Sequence, residues 1–258
     1  MAAFPGKKLT SLRNCNRSLA DDITIKEKIT VKEKRVYGRK FGRPLNAARK
    51  AALDAVLPQI SIDSSLLSEK GDLAPSSVFD AAFNECWMEI GFGSGEHLSA
   101  LMRRYPENAY IGAEPYINGM SAFVKDVEDE PKERIRVHMD DAMMVAHSLT
   151  KNSLDGLYVL NPDPWHKKRH YKRRIINQGN LDCFARILKP GGRLIMSTDV
   201  PDLADWMVTQ ASMHDAFEWE VRSADDWRVA PSDWITTQYE TKGAKNASHM
   251  VYLFFKRK

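Results

Sequence analysis

The chain has 258 residues, with 38 Lys+Arg against 34 Asp+Glu, 43% apolar residues, 14 Gly and 12 Pro. That length suits one large domain carrying a short arm, and the apolar content excludes collagen-like, low-complexity and wholly disordered chains. No apolar stretch is long enough to predict a membrane span, and the first residues lack the apolar run of a secretory signal. Three scattered cysteines (Cys15, Cys86, Cys183) provide neither a disulfide framework nor a Cys-x-x-Cys metal site, so a reduced, cytoplasmic setting is expected.

Charge is distributed unevenly. Residues 1–50 hold fourteen Lys/Arg and four acids, a net of +10, while the other 24 basic and 30 acidic residues leave −6. A basic arm on a mildly acidic body fits a polyanionic partner, although a solvated tail fits the same charge. The arm is expected over 1–45 and the folded domain over 46–258.

In chain order, 46–57 reads as an Ala/Leu helix stopped at Pro58, and 61–79, with its serines, Gly71 and Pro75, as a loop. Short apolar runs then predict strands at 87–90, 109–113, 135–138, 154–160, 193–197, 217–221 and 250–255. Helical patterns fall near 96–105, 116–128, 142–149, 170–188 and 202–213. Such alternation predicts an α/β fold, a mostly parallel sheet with helices on both faces. No long helix separates the last two strands, which therefore read as an antiparallel edge pair. The sequence has no internal repeat.

Glu89-Ile-Gly91-Phe-Gly93-Ser-Gly95 follows an apolar strand and precedes a helix. Successive glycines let the backbone turn sharply and approach a ligand near the positive end of that helix. The spacing is not the Gly-x-Gly-x-x-Gly of a dinucleotide site, and no Gly-Lys-Ser/Thr follows to make a P-loop. Glu89 is a poor neighbour for phosphate and a good one for a cation. S-adenosylmethionine, with its ammonium and sulfonium and no phosphate, fits that preference. Glu114 ends the next strand, about 20 residues on, where a carboxylate can accept both ribose hydroxyls. Asp140-Asp141 end the third strand, where one of them can receive the adenine amino group. Each is also an ordinary candidate for a helix cap.

The run Asn161-Pro-Asp163-Pro-Trp165-His-Lys167-Lys168-Arg169-His-Tyr171-Lys172-Arg173-Arg174 leaves the fourth strand at its carboxyl end. Two prolines restrict the backbone around Asp163, and Trp165 offers a flat face for a base. Six cations without an acid suggest a phosphate backbone, against the plainer reading of a basic helix start. Tyr37–Pro44 mixes cations, aromatics and glycines and reads as an RNA-gripping segment.

Glu-x-Gly-x-Gly-x-Gly, Pro-Asp-Pro-Trp-x-Lys-x-Arg-His-x-Lys-Arg-Arg, Ser-Thr-Asp and Thr-x-Tyr-Glu, in this order, resemble the bacterial tRNA (guanine-N7-)-methyltransferase family over roughly residues 35–258. The resemblance implies a Rossmann-like class I methyltransferase with a seven-stranded sheet and an antiparallel edge strand. It further implies methyl transfer from S-adenosylmethionine to N7 of a guanine in the variable loop of tRNA. Residue by residue, Glu89, Gly91, Gly93, Gly95, Glu114 and Asp141 resemble the cofactor contacts. Asp163 resembles the catalytic residue, and Lys167, Asp199, Thr237, Gln238, Tyr239 and Glu240 the substrate contacts. Two departures are Asn161, where many relatives have Phe, and Pro115 after Glu114. For Asp199, a cap on helix 202–213 is the alternative.

His147, His214 and His249 lack ligand-like spacing, so no metal is expected, and Met143-Met144, Trp227 and Trp234 read as packing residues. Guanine N7 carries no proton, so its methylation needs alignment and charge stabilisation rather than a general base. Competing readings are a methyltransferase for another RNA, a protein or a small molecule, and a non-catalytic RNA-binding module. A nicotinamide oxidoreductase ranks last on glycine spacing. The oligomeric state stays open.

Overall fold

The structure, a computed structural model, describes residue 38 and residues 40–243 and 250–258. These all fall within one compact unit. Helix α1 (Ala47–Ile60) opens on Asn46, whose side chain accepts the Arg49 N–H at 2.9 Å. It does not stop at Pro58 as its sequence predicts. Pro58 sits in the last turn, where one missing N–H is tolerable, and the buried Ile60 holds the end against the body.

Seven strands follow: β1 (Cys86–Ile90), β2 (Ala109–Ala113), β3 (Ile135–His138), β4 (Leu154–Leu160), β5 (Leu188–Thr198), β6 (Phe217–Trp219) and β7 (Val251–Arg257). They form one sheet in the order β3-β2-β1-β4-β5-β7-β6, parallel as far as β5. The last strand, β7, lies antiparallel between β5 and β6. Side chains alternate between faces, so Met88, Ile111, Leu157, Met196 and Leu253 enter one core. That core is closed by α4 (Ala142–Ser148), α5 (Gln178–Ile187) and α6 (Pro201–Ser212). On the opposite face α1, α2 (Glu96–Arg104) and α3 (Ile117–Asp126) close a second core with Tyr110, Ile135 and Val137.

The helices cover only part of that second face. Beyond α2, above β4, β5 and β7, lies a groove of about 1180 Å³ lined by Trp87, Tyr158, Ile195, Trp234 and Phe254 among others. Gly156 makes room for this floor, since a Cβ there would lie 1.9 Å from the Trp87 ring. Two short helices, α7 (Asp225–Arg228) and α8 (Gln238–Gly243), occur in the region between β6 and β7 where the sequence predicts none.

Other differences have local causes. The predicted helix 170–188 breaks into a 3-10 turn, Lys168–Arg173, and α5, because Asn177 caps a new start by accepting the Asn180 N–H. Segment 61–79 is pinned to the body by bridges Ser61–Val137 and Leu73–Leu149, with Ile62, Leu73 and Phe79 buried. Met143 is core as expected, but Met144 is exposed on the outer side of α4.

Adjacent strands β1 and β4 send their chains to helices on opposite faces, α2 and α5. This is the switch point at which an open α/β sheet gathers its ligand-binding loops.

Candidate active site

Three glycines leave β1 with left-handed backbone, φ being +71° at Gly91, +58° at Gly93 and +81° at Gly95. Their surroundings differ. A Cβ on Gly91 or Gly93 would meet nothing within 4 Å, whereas one on Gly95 would lie 2.3 Å from Phe123. The first two therefore line open space, and the third caps α2 and packs it against α3. From the other side Gly119 of α3 closes on the loop, since its Cβ would fall 2.4 Å from the Gly93 carbonyl oxygen.

Glu114, at the end of β2, is buried beside this loop. One carboxylate oxygen accepts the Gly93 N–H at 2.7 Å, and the other accepts the Tyr116 N–H at 2.8 Å. Burial pushes its carboxyl pKa up against those two bonds, and the charges of Asp163 and Glu89 add to the rise. Glu114 is thus close enough to both carboxylates to feel their charge. Glu89 is only 3% exposed, and its Oε2 lies 2.8 Å from Nδ1 of His97 in the first turn of α2.

The acidic pair after β3 divides its work. Asp141 caps α4 by accepting the Met143 N–H at 2.9 Å, while Asp140 pairs with Lys40 at 2.9 Å. The chain around Lys40 lies along the start of α3: the Lys40 carbonyl accepts the Ile117 N–H, and the Arg43 carbonyl accepts from Asn118. Tyr37 and Arg39 of the predicted RNA-gripping segment lie outside the described residues. Gly38 is so close that a Cβ would lie 3.8 Å from Asp163 Oδ2.

Asp163 sits between two non-glycine residues with positive φ, Asn161 at +47° and Trp165 at +45°. Such backbone costs roughly 1–3 kcal/mol per residue and persists only where surrounding contacts impose it. Here Asn161 N–H bonds Ser197 O at 2.8 Å, and Arg174 Nε bonds Pro164 O at 2.9 Å. Arg174 is 1% exposed, pairs with Asp202, and lies over the Tyr171 ring at 3.7 Å. It is thus an internal clamp on the Asp163 loop, not one of the phosphate-facing cations among which its sequence context places it. Lys167, Lys168, Arg169 and Lys172 are exposed as expected. Trp165 carries the Arg173 guanidinium over its ring at 5.0 Å, so this ring also braces the basic turn. Partial loss of hydration in the cleft raises the Asp163 carboxyl pKa, although the residue as a whole is open to solvent.

Asp199 follows β5. It is not a helix cap: α6 has Val200 at that position, whose N–H bonds Thr198 Oγ1. Instead Asp199 accepts from the Tyr239 hydroxyl at 3.4 Å. Burial first, then the nearby charge of Asp199 and Asp163, raises the Tyr239 hydroxyl pKa. Thr237 turns inward, its Oγ1 accepting the Glu240 N–H at 3.2 Å, and Gln238 opens α8. Glu240 is 7% exposed and accepts from Trp234 Nε1 at 3.1 Å. The structure therefore brings Asp163, Asp199 and Tyr239 together, with Thr237 and Glu240 supporting the turn beneath. Sequence reasoning missed His97, Trp234 and the clamp role of Arg174. Only His97, two residues beyond the glycine motif, carried a local signal. Among the described residues no group of three or more His, Cys, Asp or Glu is arranged to hold a metal ion.

Residues 84–253 match the family model described as "Putative methyltransferase". The tRNA (guanine-N(7)-)-methyltransferase of Azorhizobium caulinodans is 39% identical over 221 residues, 86% of this chain and 94% of that one. The enzyme of the same name from Rhodospirillum rubrum is 37% identical over 224 residues, covering 87% and 88%. The chain belongs to the tRNA (guanine-N(7)-)-methyltransferase family. Family membership and chemistry agree on the ligand class, since glycines that face open space, with the carboxylates of Glu89 and Glu114 beside them, suit a cationic nucleoside. The residues present fit S-adenosylmethionine.

Proposed function

We propose that this chain transfers a methyl group from S-adenosylmethionine to N7 of a guanine in the variable loop of tRNA. One observation carries the reading: Asp163 leaves β4 beside the strand β1 that leads into the glycine loop, and four exposed cations follow it within nine residues. When bound, the cofactor supplies an electrophilic methyl on a sulfonium. Glu114 would receive the ribose hydroxyls while keeping its two backbone bonds, because a carboxylate has about four acceptor sites. Asp141 would receive the adenine amino group on the lone pairs its cap bond leaves. Gly91 and Gly93 let the chain approach without a side chain, and Glu89 faces the cationic end.

Lys167, Lys168, Arg169 and Lys172 would hold phosphates and set the register of the tRNA. Asp163, partly dehydrated, would bind the N1–H/N2–H edge of guanine and strengthen that bond as positive charge moves onto the purine. No proton leaves N7, so Asp163 acts as an orienting anion and not as a base. Tyr239 and Asp199 would close the far side of the base.

The test uses unmodified tRNA and methyl-labelled cofactor, followed by reduction and aniline cleavage at 7-methylguanosine. A single scission in the variable loop is expected, falling about 10²–10³-fold in rate for Asp163→Ala while cofactor affinity is kept. Label incorporated without scission would discard N7 as the target.

A further inference from the structure

The cofactor and tRNA halves proposed for this site come from distant parts of the chain, and a run of side-chain contacts along the groove joins them. It begins at Glu89, whose Oε2 meets His97 Nδ1 at 2.8 Å with both residues 3% exposed. The His97 ring stands edge-on to Tyr158 at 4.6 Å and faces Trp234 at 6.2 Å. Trp234 in turn packs edge-on against Tyr252 at 4.8 Å and donates its Nε1–H to Glu240 Oε2. The other oxygen of Glu240 is buried and receives no donor from the described residues. Among the described residues the Trp234 bond is thus the one side-chain hydrogen bond to this carboxylate.

Packing alone does not account for this arrangement. The Trp234 N–H is given to a carboxylate and not to solvent, and burying that carboxylate with one oxygen unpaired among the described residues carries a cost that a single hydrogen bond offsets only in part. We propose that His97 and Trp234 are positioning residues that hold the turn 237–240 in register with Glu89, coupling the tRNA-binding turn to the methyl-donor site through one aromatic bridge. The inference rests on the assignment of Glu89 and Glu240 to the two halves of the site, made above.

The test is a set of double-mutant cycles on the full chain, with unmodified tRNA and labelled S-adenosylmethionine. Trp234→Phe keeps an aromatic ring over Tyr252 and removes the donor. It should lower kcat/KM for tRNA about tenfold through a raised KM, with cofactor Kd in the absence of tRNA unchanged. Adding Glu240→Gln to it should cost little more, since the first change already releases that carboxylate. His97→Asn keeps a donor near the Nδ1 position and removes the ring that meets Trp234. Its effect on kcat/KM for tRNA should combine with that of Glu240→Gln to less than the product of the two, by at least about threefold. Should His97→Asn fail to fold, His97→Gln replaces it in the cycle. Effects that multiply independently, or a Trp234→Phe enzyme with unchanged tRNA kinetics, would overturn the bridge. If Glu240→Gln and Glu89→Gln alone leave tRNA KM and cofactor Kd untouched, the assignment of the site itself falls, and the bridge with it.

Discussion

Glu114 ends β2 and Asp163 follows β4, on either side of β1, and the two are held by different means. Glu114 is buried, and both its oxygens bond backbone N–H groups within two elements of its own strand. Asp163 accepts from no described residue, and its place is imposed by Pro162, Pro164 and the remote Arg174. The donor half of the site is therefore set by local backbone, before any ligand arrives. The acceptor half is set by side chains drawn from β5, α6 and the 234–240 segment, and it leaves its key carboxylate open for an incoming base. A small, invariant cofactor suits the first arrangement, and a large nucleic acid whose base must enter from solvent suits the second.

Three substitutions sharpen the contrast. The largest effect is expected from Arg174→Lys, because a lysine cannot both fork to Pro164 O and Asp202 and lie flat on Tyr171. Misplacing Asp163 by about 1 Å should cost about 10²-fold in kcat, with cofactor Kd unchanged, as single-turnover kinetics would read. Glu114→Gln should do the reverse. Replacing one acceptor by an NH2 group that faces a backbone N–H should raise cofactor Kd about tenfold, measured by equilibrium dialysis, at little change in tRNA KM. The smallest effect is expected from Lys168→Ala, which should weaken tRNA binding two- to threefold and flatten the salt slope by about one unit. A loss of cofactor affinity in Arg174→Lys, or none in Glu114→Gln, would erase the distinction.

The same contrast explains what the sequence reveals. Strands β1 to β4 match their apolar runs nearly residue for residue, and the glycine loop is recognisable because its chemistry is local, five positions of one chain segment. Pro58 and the break before α5 escape notice because tertiary anchors, Ile60 and the Asn177 cap, outweigh propensity. Arg174 looks like its neighbours Arg173 and Lys172 on paper. Only its tertiary partners Pro164, Asp202 and Trp206 turn it inward, with Tyr171 of its own turn beneath it. Trp234 is silent for the same reason: its partners His97 and Tyr252 are contacts of the fold and not of the motif.

Strand β7 also dictates an order of assembly. It is last in sequence yet lies inside the sheet, pairing with β5 on one side and β6 on the other. Tyr252 and Phe254, on which Trp234 rests, belong to it. The segment that carries Trp234 and Tyr239 therefore rests on a strand that follows it in the chain, and it cannot take its final place until β7 has entered the sheet.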